Sequence, residues 1–489
     1  MLLNCYPRPR LSPARTIINT MSYRRIFFSC RLFLLAQGSS TLQGMESVHA
    51  VGHPEGLRTG KFPRSPLLRW SLGMLPFLCF WVGLSAEPIR LTYWNWAPNI
   101  EQVVEIWNKK NPDIQVTISR AAGPMEIVPK LIAADRAGTP PDITNVTYQD
   151  LPALVVNGLV SDITRAMEPN KSKISPVAWS LVNLGGAVWA APQGTSPMMF
   201  YYREDLFKQF GLEVPTTWED FAVVAKKLHA ADPSRHLATF PTADPGLFVA
   251  LTHQAGGNWW TLEGDTWTVS IASASNKRIA EFWGELIATG AIATSQVWSP
   301  EWSASMAEGR LLGFISAVWA PPLIKNIAPA TLGKWNAAPL PRWREGAGTK
   351  WASGVMGGSA ATVTAKSKNK EAATKFILWI TSDPEALEAY VRLANIWPAW
   401  LPAREMPTLQ HAPTFIPQRT DFYALATAID QETPTVSWGP NVSTSFDAFR
   451  NAFATAVKKK SGFSEALEIV QRTTVRDMKS QGYQVKEAR

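Results

Sequence analysis

Trp189–Phe221 reads WAAPQGTSPMMFYYREDLFKQFGLEVPTTWEDF. The segment Pro192-Gln193-Gly194-Thr195-Ser196-Pro197 cannot sit inside a helix, because each proline lacks an amide donor and clashes with the preceding turn. The apolar, aromatic run Met198–Tyr202 that follows predicts a strand. A charged helix start, Arg203-Glu204-Asp205, then places Leu206, Phe207 and Phe210 on one face, and Gly211 stops it. A second helix opens after Pro215, with Thr217…Asp220 as the capping pair and Thr216…Glu219 as the alternative register.

Upstream, Ile89–Trp94 predicts a strand. Ile100, Val103, Val104 and Trp107 recur at i, i+3, i+4, i+7 and predict an amphipathic helix. Asn111-Pro112-Asp113 breaks it, and Ile114–Ile118 alternates as a second strand. A helix over about Met125–Ala134, a strand over Asp142–Val146 and a helix over about Asp150–Asn157 complete a β-α-β-α-β-α order. That order implies a parallel sheet with helices on its faces. Ligands of such sheets bind beyond the carboxyl ends of the strands, which here carry Trp94-Asn95-Trp96 and Tyr148-Gln149-Asp150.

Charge is divided unevenly along the 489 residues. Residues 1–86 hold ten basic and two acidic side chains, and the remainder 38 and 37, so the net charge of +9 belongs almost wholly to the leader. This removes the argument for a nucleic-acid partner. Residues 71–86, SLGMLPFLCFWVGLSA, form an apolar block behind Arg58, Lys61, Arg64 and Arg69 and end in small residues. That pattern predicts a secretory signal peptide, cleaved near Ser85 or Ala86. At sixteen residues it is short of the ~20 a membrane span needs. An uncleaved anchor and a lipid on Cys79 are the alternatives, and Met45 is the better initiator. Cys5, Cys30 and Cys79 all precede residue 87, so the expected mature chain has no disulfide or thiolate chemistry.

Neither strand-end loop carries a glycine-rich phosphate loop. His229, His236, His253 and His411 lack metal-ligand spacing, and no Gly-x-Ser-x-Gly elbow occurs. No metal or cofactor is expected. The 22 tryptophans are the positive signal: indoles cover the C–H faces of sugars while amides, carboxylates and guanidinium groups take the hydroxyls.

The strand leading to Tyr-Tyr-Arg-Glu-Asp-Leu-Phe, then Gly-Leu and Pro-Thr-Thr-Trp-Glu-Asp-Phe, resembles the family 1 extracellular solute-binding proteins, the sugar-binding components of bacterial ABC importers. The resemblance extends from about Ile89 to the C-terminus. Met306-Ala307-Glu308-Gly309-Arg310 leading to Trp319, the segment Trp351–Val363 with Gly357-Gly358-Ser359, and Trp397–Arg404 with its Leu-Pro-Ala-Arg turn resemble later motifs of the same family. It implies an α/β two-lobe periplasmic-binding-protein fold of type II, with 87–194 plus 354–394 as one lobe and 195–353 plus 395–489 as the other. It also implies hinge closure on a mono- or oligosaccharide or glycoside, delivery to a membrane permease, and a monomer that is not an enzyme.

The expected ligand-binding set is Trp94, Asn95, Trp96, Tyr148, Gln149, Asp150, Ser196, Trp259, Trp260, Trp319, Gly358, Ser359, Trp397 and Arg404. Thr147 stands where many sugar-binding members carry an acidic residue, and Ser196 where some carry glutamate, so no single relative dictates the sugar. A secreted carbohydrate hydrolase with paired carboxylates and a polyamine- or other small-solute-binding protein are the rival readings.

Overall fold

The computed structural model describes residues 87–120, 123, 124 and 126–488; the signal-peptide and cysteine expectations lie outside them. Fourteen strands are formed among these residues: β1 Ile89–Trp94, β2 Ile114–Ser119, β3 Ile143–Thr147, β4 Asn183–Leu184, β5 Ala187–Val188, β6 Ala191–Thr195, β7 Met198–Arg203, β8 Trp260–Glu263, β9 Thr266–Val269, β10 Gly313–Ala317, β11 Trp335–Pro339, β12 Ser359–Val363, β13 Trp397–Pro398 and β14 Gln484–Glu487.

Six of them build the larger sheet, in the order β13-β6-β12-β3-β1-β2. The β1, β2 and β3 strands are mutually parallel, as the βαβ pattern requires. The late strand β12 enters antiparallel between β3 and β6, so the sheet is mixed rather than purely parallel. The helix Ile100–Lys110 buries Ile100, Val103, Val104 and Trp107, the four residues of its apolar stripe. Trp107 meets Phe376 edge-on at 5.3 Å, which ties that stripe to the helix Lys370–Ser382.

A smaller antiparallel sheet, β10-β7-β11, is centred on the strand Met198–Arg203, all six residues of which are buried. The following helix, Glu204–Gln209, buries Leu206 and Phe207. Thr217 caps the next, Trp218–Ala231, by accepting from the Asp220 N–H at 3.0 Å, which selects the first capping register. A hairpin, β8-β9, turns through Gly264-Asp265, with Gly264 at φ +57°, and β14 joins it in parallel.

The chain passes from the large sheet to the small one in two residues, Ser196-Pro197, between β6 and β7. It returns through 353–358 to β12, and crosses again after β13. No helix among the described residues is long and apolar enough to cross a membrane.

Candidate functional site

Period-two alternation at the end of β1 sorts its residues. Tyr93 and Asn95 are fully buried, whereas Trp94 and Trp96 are half-buried on the opposite side. On the buried side, the Tyr93 hydroxyl donates to Asn145 Oδ1 at 2.8 Å and accepts from Gln193 Nε2 at 2.9 Å, and Ser359 Oγ donates to Gln193 Oε1 at 3.1 Å. These bonds lace β1, β3, β6 and β12 together beneath the strand ends. Asn95 Oδ1 accepts from the Ala97 N–H at 2.7 Å. Arg120 grips the same loop, donating to the Ala97 carbonyl at 2.6 Å while forking Glu101 at 2.8 and 3.0 Å. The Trp96 backbone is therefore fixed from both sides. Trp94 packs on the core.

At the end of β3, Tyr148 is buried and its hydroxyl donates to the Gly194 carbonyl at 3.0 Å. Gly358 lies against this ring at φ +87°, where a Cβ would come within 2.6 Å of Tyr148 and 2.9 Å of the Gly194 oxygen. Only glycine suits that backbone and that approach. Asp150 is buried and accepts from Thr147 Oγ1 at 2.7 Å, yet desolvation outweighs this bond and pushes its carboxyl up to about 6. A cavity of about 380 Å³ opens here, with Val128, Ile132, Gln149 and Asp150 on the large-sheet side and Phe446 and Arg450 of the helix Val442–Lys459 opposite.

At the crossings, Ser196 is buried, and Arg404 donates to Asp430 at 2.8 Å. Thr195 Oγ1 and Ser175 Oγ donate to the same carboxylate at 2.7 and 3.1 Å. Trp397 is 2% exposed, parallel to Tyr423 at 5.7 Å, with the Arg404 guanidinium over its ring at 5.0 Å.

On the small-sheet side, Trp319 follows β10, half-buried, and its carbonyl accepts from Asn395 Nδ2 at 3.2 Å. Trp259 and Trp260 are fully buried, their rings 5.5 Å apart, with Trp259 against Phe248 and Phe449 and Trp260 against Trp438.

The structure thus brings Gln149 and Asp150 to a cavity, leaves Trp96 and Trp319 half-exposed at strand ends, and surrounds Asn95, Tyr148, Trp259, Trp260, Trp397 and Arg404 with protein. Arg450, Asp244 and Trp298 escaped the sequence reading. Asp244 caps the helix Pro245–Gln254 by accepting from the Gly246 N–H. Desolvation raises its carboxyl, and the Gly246 and Leu247 N–H groups, followed by the charge of Arg450, partly offset the rise. Its sequence signal, Asp-Pro-Gly, reads as a turn. Trp298 stands just before a Ser-Pro helix start, where aromatic exposure leaves no pattern.

Residues 102–417 match the model of a family described as bacterial extracellular solute-binding protein. Over 319 residues the chain is 22% identical to an arabinooligosaccharide-binding protein of Bacillus subtilis, a match covering 62% of this chain and 71% of that one. Among solved structures, the galacto-N-biose/lacto-N-biose I-binding protein of a Bifidobacterium longum ABC transporter, in complex with lacto-N-biose, is similar at TM-score 0.73 and 26% identity, covering 82% of this chain and all of that one. An ABC transporter-associated binding protein of B. animalis subsp. lactis, in complex with β-1,6-galactobiose, gives 0.72 and 25% with the same coverage. The fold is the two-lobe α/β architecture of these proteins, with a ligand cleft between the lobes.

Proposed function

Because the chain belongs to the bacterial extracellular solute-binding protein family, we propose that it captures a sugar between its lobes by hinge closure and hands it to the permease of an ABC importer. The observation that carries this reading is the 380 Å³ cavity, where Gln149 and Asp150 at one strand end face Arg450 of a helix from the other side of the molecule. Amide, carboxyl and guanidinium groups around an apolar floor suit hydroxyls on a C–H framework. Relatives that bind arabino-oligosaccharide, lacto-N-biose and galactobiose support the same class.

The lobes we propose are 87–194 plus 354–394 and 195–353 plus 395–489, with the last boundary moved to just after Pro398, because β13 pairs with β6 of the large sheet. The chain acts outside the cytoplasm as a monomer, after cleavage near Ser85 or Ala86. The ligand-contacting set is Trp96, Gln149, Asp150, Trp319 and Arg450. Asn95, Tyr148, Gly358, Ser359 and Arg404 hold these residues in place.

Arg450 lines the cavity and is paired with Asp447, a second carboxylate of the same lining, at 2.6 Å. A guanidinium on the cavity wall, a carboxylate already paired and an apolar floor disfavour a polycation and favour the neutral sugar. A thermal-shift screen over sugars, polyols and polyamines, followed by titration calorimetry, tests the reading. A saccharide hit recovered unaltered after incubation supports capture. Stabilisation by polyamines alone, or cleavage of the sugar by pure protein, overturns it.

A further inference from the structure

Four non-glycine residues among those described have positive φ. Two are asparagines, which tolerate the left-handed region, and Lys460 terminates a helix. The fourth is Trp298, at φ +76°. It is the third residue of a turn closed by the Ser299 N–H donating to the Gln296 carbonyl at 3.0 Å. Positive φ at that place normally selects glycine or asparagine, and a bulky residue there is strained. Ser299 then caps the helix Pro300–Ala307 by accepting from the Trp302 N–H, so the turn itself asks for no indole.

Nor does the core ask for one. Trp298 is 56% exposed, the largest exposed apolar side chain described. Its ring lies 6.4 Å from Trp319 at 24°, a stacked pair, and 5.8 Å from Trp302. The two stacked indoles line a small cavity with Asp244 and with Met356 of the 353–358 crossing. Asp244 in turn feels the charge of Arg450, which lines the large cavity. Trp319 belongs to the proposed ligand-contacting set, and Trp298 extends its aromatic face toward solvent. A strained, exposed aromatic stacked on Trp319 and beside a carboxyl offers a flat face for C–H groups and an acceptor for hydroxyls.

We propose that Trp298, stacked on Trp319, is a specificity-determining residue that seats a second sugar ring, so that the ligand is a disaccharide or longer. This rests on the sugar-binding reading above. The test uses Trp298→Gly, because glycine relieves the turn: a structural tryptophan would lose stability, whereas a strained one would not. Titration calorimetry is run with arabinose, galactose and glucose and with their di- and trisaccharides, including β-1,6-galactobiose and maltose. The expected result is a variant that melts at or above the parent temperature. It should bind the preferred di- or trisaccharide about tenfold or more weakly, with monosaccharide affinity unchanged. Trp298→Phe, which keeps a ring, should recover part of the loss. Unchanged affinity for the longer sugars, or an equal loss for monosaccharides, overturns the inference while leaving the sugar reading intact. Parent protein that binds no saccharide removes both.

Discussion

Arg404 and Asp430 form a buried ion pair at 2.8 Å, where the chain passes between the two sheets. Arg404 also donates to the Pro398 carbonyl at 3.1 Å, and the Asp430 carboxylate collects the hydroxyls of Thr195 and Ser175. The pair thus joins β6, the segment after β13 and the helix Phe422–Gln431. Removing one partner of a buried pair leaves an uncompensated charge and costs about 3–5 kcal/mol. Asp430→Ala and Arg404→Ala should each lower denaturant stability by that order. The double variant Arg404→Met, Asp430→Leu should recover most of it. Two mild singles would show that water reaches the pair.

Trp96 and Trp259 make a contrasting test of anchor against core. Trp96 is half-buried, on a loop pinned by Asn95 and Arg120, and Trp259 is fully buried among phenylalanines. Trp96→Ala should weaken sugar binding at least ~30-fold, the loss expected of an aromatic anchor, with little change in the unliganded melting temperature. Trp259→Ala should instead cost about 3–5 kcal/mol of folding stability. Calorimetric titration and thermal melts on both variants decide between the roles. A stable Trp96→Ala with parental affinity removes Trp96 from the site.

These two tryptophans also mark where sequence reading stops. Local patterns located β1, the helix Ile100–Lys110 and the strand Met198–Arg203, the helix by its period and the last strand by its apolar, aromatic run. They say nothing of which tryptophans meet across distant segments. Trp259 and Trp260 follow Gly256-Gly257 as a strand-end loop would, yet Phe248, Phe449 and Trp438, two of them far away in sequence, enclose them. Arg404 carried a family motif, but its partner Asp430 lies on a helix with no such signature. Trp298 was invisible because its exposure and backbone strain are tertiary facts.

Gly358 tests the close approach at the 353–358 crossing. Alanine there must take φ +87° and place its Cβ 2.6 Å from the Tyr148 ring. Strain and overpacking together should cost about 2–4 kcal/mol. The Tyr148 hydroxyl would also be pushed off the Gly194 carbonyl. Gly358→Ala should therefore melt well below the parent. Gly357→Ala, with nothing within 4 Å of its Cβ, bears only the backbone cost of φ +78°, so the difference between the two measures the clash.

Asp150 sets a pH dependence whose sign follows from its burial. Desolvation raises its carboxyl from 3.8 to about 6 in the folded chain, although Thr147 donates to it. Between those values the folded state binds the proton that the unfolded state has lost, so this group makes stability fall as pH rises. Below about 4 both states are protonated and the group contributes no difference; above about 6 the full penalty is present, of order 2–3 kcal/mol. An asparagine side chain at this position would keep an acceptor for Thr147 and carry no charge. Asp150→Asn should therefore match the parent below about pH 4, gain on it progressively from about 4 to 6, and hold a constant advantage at about pH 7–8. Denaturant titrations of both proteins across this range give the difference directly, without interference from groups common to the two. A variant less stable than the parent at neutral pH would mean that Arg450, across the cavity, compensates the ionised carboxylate more strongly than burial opposes it.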